Sequence, residues 1–210
     1  MAQAAIAALT DLGDGSMAPM LVRITQSASA DHALRLQAIG ALLQIGGSGY
    51  RPLLRVYLNQ GALPFRLLAL EYLIGGGAPA EELLALLANR AWPAALRLRL
   101  LDAFADDAAA APALAGILRD AEDDLQIRAL AAEALGRMGG RAAEADLMSL
   151  AGSQAAPVAL RVRCLHAVQA LGGGAAWELI SRLAEDDTQP IPVREAALCA
   201  LREVASSPAA

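Results

Sequence analysis

Apolar and polar positions follow a helical period along this chain, and the pattern returns six times. Its anchors are Arg35, Arg66, Arg97, Arg128, Arg161 and Arg194, spaced by 31, 31, 31, 33 and 33 residues. One place before each stands an apolar residue: Leu34, Phe65, Leu96, Ile127, Leu160 and Val193. Three places after stand Ala38, Ala69, Leu100, Ala131, Cys164 and Ala197. Six places after come Ala41, Tyr72, Ala103, Ala134, Ala167 and Ala200, and seven after come Leu42, Leu73, Phe104, Leu135, Val168 and Leu201. Offsets −1, +3, +6 and +7 share one side of a 3.6-residue helix, so each arginine opens an amphipathic helix, helix B of its repeat. Glycines after several of these helices, at Gly46, Gly75, Gly139 and Gly172, are natural C-terminal stops.

A second apolar helix, helix A, precedes each B. Its cores are Met20–Ile24, Leu53–Leu58, Leu83–Leu87, Leu114–Leu118, Leu147–Leu150 and Trp177–Leu183. Between A and B sit Asp31, Pro64, Pro93, Asp124, Pro157 and Pro190. Aspartate suits an N-cap and proline the first helical turn. The repeats run over 16–47, 48–77, 78–107, 108–140, 141–173 and 174–205, in one domain over 1–210. Residues 2–12 read as one extra capping helix, and Ser206–Ala210 as a frayed tail. No alternation of period two marks a strand.

The stretch from Asp124 through Arg128 to Gly139, with Ile127, Ala131, Ala134 and Leu135 at its apolar places, resembles the short HEAT-like repeat. That repeat type is shared by bacterial HEAT-repeat proteins and phycobilisome-lyase-type proteins. Asp31 and Arg35 repeat its opening. The resemblance spans roughly residues 16–204. It implies an all-α fold: a right-handed α-solenoid, or α-α superhelix, of about six HEAT-like helix pairs with an N-terminal capping helix. The signatures of ankyrin and tetratricopeptide repeats are absent.

Composition narrows the chemistry. Apolar residues make up 56% of the chain but aromatics only 3%. The excess is alanine and leucine, which favours many thin helix–helix layers. All 17 basic residues are arginine, so neither a Schiff-base lysine nor a P-loop lysine exists. A net charge of −5 speaks against a nucleic-acid binder. Two cysteines suit a reducing compartment, the start of the chain lacks the basic opening of a secretory signal, and no apolar run is long enough to cross a membrane. The expectation is a cytoplasmic protein.

The six arginines read as structural, each bridging from the edge of its buried face to carbonyls or a carboxylate of a neighbouring repeat. The alternative is a line of anion-binding guanidiniums. Repeat solenoids offer a concave surface for partners, lined here by B helices. Offset +1 reads Leu36, Leu67, Leu98, Ala129, Val162 and Glu195; offset +5 reads Gly40, Glu71, Asp102, Glu133, His166 and Cys199. An apolar row beside an acidic row suggests a groove for a basic or amphipathic protein segment, unless the +1 row packs between adjacent helices. The expected partner-binding set is Leu36, Leu67, Glu71, Leu98, Arg99, Asp102, Leu130, Glu133, Val162, Arg163 and His166.

No catalytic constellation is legible. His32 and His166, the two histidines, belong to opposite ends of the array and lack partners at metal-ligand spacing. His32 reads as a surface residue behind the N-cap Asp31. Cys164 falls at an inward place and Cys199 at an outward one, a geometry that speaks against a disulfide. Gly13–Ser16 and Gly46–Gly49 read as turns, Trp92 and Trp177 as packing residues, and the acidic runs Asp120–Asp124 and Glu185–Asp187 as solvated turns. The leading expectation is therefore a non-enzymatic scaffold or adaptor for another protein, with no cofactor, no metal, no nucleic acid and no membrane, self-association being a further use of the same patch. The alternative, implied by the resemblance, is a bilin lyase-like or other enzyme-accessory subunit, and behind it a nucleic-acid-binding HEAT-like protein.

Overall fold

The computed structural model describes residues 6, 15–27, 29–139 and 141–206. Among the described residues there are twelve α-helices: α1 (Ala18–Gln26), α2 (His32–Gly46), α3 (Arg51–Gln60), α4 (Leu63–Gly75), α5 (Ala80–Ala88), α6 (Ala94–Ala103), α7 (Ala111–Arg119), α8 (Leu125–Met138), α9 (Glu144–Gly152), α10 (Val158–Leu171), α11 (Gly174–Glu185) and α12 (Ile191–Ser206); α1 packs on α2, α3 on α4, α7 on α8, α9 on α10 and α11 on α12. Among the described residues there is no strand. The capping helix expected over 2–12 lies, apart from the buried Ile6, outside the described residues, as does the tail beyond Ser206.

The caps are those the turns call for. Asp31 accepts a bond from Leu34 N at 2.7 Å, and Asp124 accepts from Gln126 N and Ile127 N at 2.8 and 3.1 Å, using up donors that a helix start leaves unpaired. Pro93 and Pro157 occupy the N-caps of α6 and α10. Gly139 ends α8 in the left-handed region, φ +66°.

The chain divides into two compact units, Met1–Leu83 and Leu84–Ala210. In the first, Ile6, Leu21, Ala38, Ala41 and Leu42 form one cluster, with Leu34, Ile45 and Tyr50 against it. In the second, Leu96, Leu100, Leu114, Leu118, Ile127, Leu135, Leu147, Leu160 and Leu165 are buried. Every residue at offset +3, from Ala38 to Ala197, is buried. The pattern slips at the end of α6. That helix stops at Ala103, so Ala103 is exposed and Phe104 turns in from outside the helix.

Small residues set the helix spacing. A Cβ on Gly136 of α8 would lie 2.7 Å from Ala167 Cα of α10, so glycine is what allows these two B helices to approach so closely. At offset +1, Leu36 is completely buried, and Leu67, Leu98, Ala129 and Val162, with the neighbouring Leu130, are half-buried. The apolar residues expected to be exposed there are thus partly to completely covered.

Candidate ligand pocket

The repeated arginines are the polar frame of the C-terminal unit. Arg97 is buried; its Nε donates to Leu87 O at 2.6 Å, and its two terminal nitrogens donate to both oxygens of Asp123 at 2.6 Å. Arg128 Nε donates to Leu118 O at 3.1 Å, and Arg161 Nε to Ala151 O at 3.0 Å. In each case the acceptor is the penultimate residue of helix A of the same repeat, whose carbonyl has no partner inside its own helix. Guanidinium charge also suits that end of the helix dipole. Arg161 reaches on to Gln189 Oε1 at 2.5 Å, and Gln189 Nε2 passes the contact to Asp186 Oδ2 at 2.6 Å.

These pairings have electrostatic consequences. The hydrogen bond from Arg97 holds the Asp123 carboxyl below the usual carboxylate range, against an opposing effect of burial. Bonds from Thr188 and Gln189 draw Asp186 down to about 2. Burial pulls the Arg161 guanidinium below its ordinary value. The structural reading, a bridge into a neighbouring repeat, fits Arg97 and Arg161, whereas the bond of Arg128 stays within its own repeat. The acidic run at 120–124 is not only a solvated turn, because Asp123 is buried within it. Asp123 and Gln189 share one place, the residue just before the turn position that opens the next helix B. Sequence reasoning singled out their neighbours Asp124 and Pro190 instead.

The expected partner-binding residues are divided between the two units. Within the C-terminal unit Glu133, Arg163 and His166 do come together, around a cleft of about 240 Å³ that Arg137 also lines. Glu133 is held there by Arg137 at 2.9 Å and Arg163 at 3.5 Å, so its charge is already matched. Asp102 is exposed, with Arg99 at 3.3 Å. Glu71, in the N-terminal unit, is exposed, and Gly40 at the same offset is buried beneath the ring of Tyr72.

A different site opens in the N-terminal unit. A cavity of about 510 Å³ lies among α1, α2, α3 and the start of α4, lined by Thr25, His32, Arg35, Tyr57 and Phe65 together with aliphatic side chains. The His32 ring stands edge-on to Tyr57, centroids 5.9 Å apart, and tilted against Phe65 at 5.3 Å. Leu53 and Val56 are exposed at its wall. Apolar and aromatic walls with a few polar groups are the usual make-up of a small-molecule site. No carboxylate lines it. His32 is exposed as expected, but its membership of a pocket was not legible, because Tyr57 and Phe65 come from the next repeat. Among the described residues no group of three His, Cys, Asp or Glu side chains could hold a metal ion. No helix among them is long and apolar enough to cross a membrane.

No family model matches this chain, and no curated protein does. Among solved structures, human deoxyhypusine hydroxylase in complex with glycerol is similar at 22% identity and a TM-score of 0.53, over 98% of this chain and 80% of that one. That neighbour is an enzyme, which overturns the expectation that this architecture marks a non-enzymatic adaptor. At this level of identity the likeness is one of fold. The fold is an all-α solenoid of HEAT-like helix pairs, shared with a HEAT-repeat enzyme.

Proposed function

We propose that this chain works as an enzyme-accessory subunit of the lyase type, holding a small molecule in the cavity of its N-terminal unit for a catalytic second chain. The observation that carries this reading is the cavity itself. Its volume of about 510 Å³ falls in the range of small-molecule sites, and its wall sets the aromatic rings of Tyr57 and Phe65 beside His32 and Arg35. Two further points support it. The repeats resemble those of phycobilisome-lyase-type proteins, and a solved enzyme has the same fold. Two free thiols, Cys164 and Cys199, are consistent with a reducing compartment, and the cytoplasm is the proposed location.

The resemblance makes a bilin the first ligand to try. Titration with a bilin should shift and sharpen its visible absorbance as the flexible tetrapyrrole is held in one conformation. Val56 is 58% exposed at the cavity wall, so Val56→Arg should block the site without disturbing the core. The variant is expected to leave the bilin spectrum as it is in buffer. A wild-type spectrum that does not move, or one that moves equally with Val56→Arg, would sink the bilin form of the proposal.

A further inference from the structure

We infer that the cavity of the N-terminal unit takes an organic anion, an aromatic or apolar carboxylate, with Arg35 as its anchor; this rests on the cavity being a ligand site. The argument comes from comparing the repeats. Arg97 and Arg161 each make two kinds of contact: Nε to a helix A carbonyl ten residues earlier, and terminal nitrogens to the side chain just before the next N-cap, Asp123 or Gln189. For Arg35 the matching carbonyl belongs to Thr25 and the matching side chain to Gly61. Arg35 makes neither contact. Its Nε is buried with no hydrogen-bond partner, and the side chain lines the cavity together with both Thr25 and Gly61.

Arg128 is the useful contrast. The residue at the matching place beyond it is Ala156, which offers no acceptor, yet Arg128 stays buried and keeps its bond to Leu118 O. Arg66 and Arg194 do not make the Nε bond to a helix A carbonyl either, and Arg194 pairs with Asp187 at 2.7 Å instead; of the six, Arg35 is the one that lines this cavity. Gly61 cannot simply carry the missing carboxylate. A Cβ there would lie 2.6 Å from Tyr57 O, the carbonyl that accepts the Gly61 N–H. A side chain at position 61 would crowd that carbonyl, so this place supplies Arg35 with no acceptor.

The surroundings define the rest of the ligand. A guanidinium within an uncharged, partly apolar wall is poorly hydrated and pairs strongly with a planar carboxylate. No lining carboxylate competes for it. Tyr57 and Phe65 offer faces and edges to an aromatic or flat apolar body, and His32 already sits between them. The hydroxyl of Thr25 donates to Val22 O at 2.7 Å and is not free to donate to the anion, whereas His32, Tyr57 and Gln60 line the cavity as further hydrogen-bonding groups. Arg35, the one guanidinium in the lining, carries the charge recognition.

The test uses 2-naphthoate and its uncharged counterpart 2-naphthamide, titrated calorimetrically into the full chain and into Arg35→Gln and Arg35→Lys. Wild type should bind the acid roughly tenfold or more tighter than the amide, the discrimination expected of a hydrogen-bonded charge pair. Arg35→Gln should bind the two alike, and Arg35→Lys should recover part of the preference. Acid and amide bound equally by wild type would overturn the anion assignment while leaving the cavity as a ligand site. A preference that survives in Arg35→Gln would overturn the role of Arg35 in the same way. Binding of neither compound to wild type would remove the cavity reading and this inference with it. If Arg35→Gln fails to fold, the acid-to-amide ratio of wild type and the Arg35→Lys partial rescue decide the matter.

Discussion

Replacing Asp123 by alanine strikes the best-built polar contact in the chain. Arg97 and Asp123 side chains are each 3% exposed, and two bonds of 2.6 Å join them. The Asp123→Ala variant leaves a buried guanidinium with Leu87 O as its remaining acceptor. Breaking one side of such a pair costs about 3–5 kcal/mol, because the charge that stays behind has lost both water and partner. For a chain of this size that corresponds to a Tm lower by roughly 6–20 °C, at about 2–4 °C per kcal/mol. Urea denaturation followed by circular dichroism measures the loss directly. The double variant Arg97→Met/Asp123→Ala separates the two meanings of the number. Removing both charges also removes the desolvation penalty, so the double variant should be clearly more stable than Asp123→Ala and lie within roughly 2 kcal/mol of wild type. The reasoning is refuted if Asp123→Ala loses less than about 1 kcal/mol, or if the double variant is as unstable as the single one.

Two further outcomes are expected. Asp123 and Asp186 both have folded values below the unfolded 3.8, so their stabilisation is present above about pH 4 and is lost as pH falls through the folded values, which for Asp186 is about 2. Acid titration of Asp123→Asn, monitored by circular dichroism, should show a smaller loss of stability below pH 4 than wild type does. Burial drives the Cys164 thiol up to about 12, whereas Cys199 is exposed. Iodoacetamide at mildly alkaline pH should therefore add one group per native chain, at Cys199, and two after unfolding, read by mass spectrometry; a doubly labelled native chain would contradict the placement of Cys164.

The helix pairs, their caps and the inward offset +3 were readable from residue order alone. Each depends on interactions within about one helical turn, which periodicity records directly. Cys164 illustrates this: it stands where four other repeats have alanine and one has leucine, and it is buried as they are. A structural role for the repeated arginines was legible in their spacing, but the bonds of Arg97, Arg128 and Arg161 to carbonyls of their own helix A were not, since the sequence pointed to a neighbouring repeat.

Relations between repeats were decided by tertiary structure. The partner of Arg97 is Asp123, which turns inward while its neighbour Asp124 caps α8, as its place before helix B suggested. Offset +1 looked like a surface, but Leu36 is buried and Leu67, Leu98 and Val162 are half-buried. Glu133 looked like one member of an acidic row, yet Arg137 and Arg163 match its charge. The cavity at His32 and Arg35 exists because the following repeat brings Tyr57, Gly61 and Phe65 opposite them. Periodicity tells which face of a helix is apolar; which residue across a turn meets that face depends on helix spacing and on the direction of a single side chain, and these are properties of the packed array.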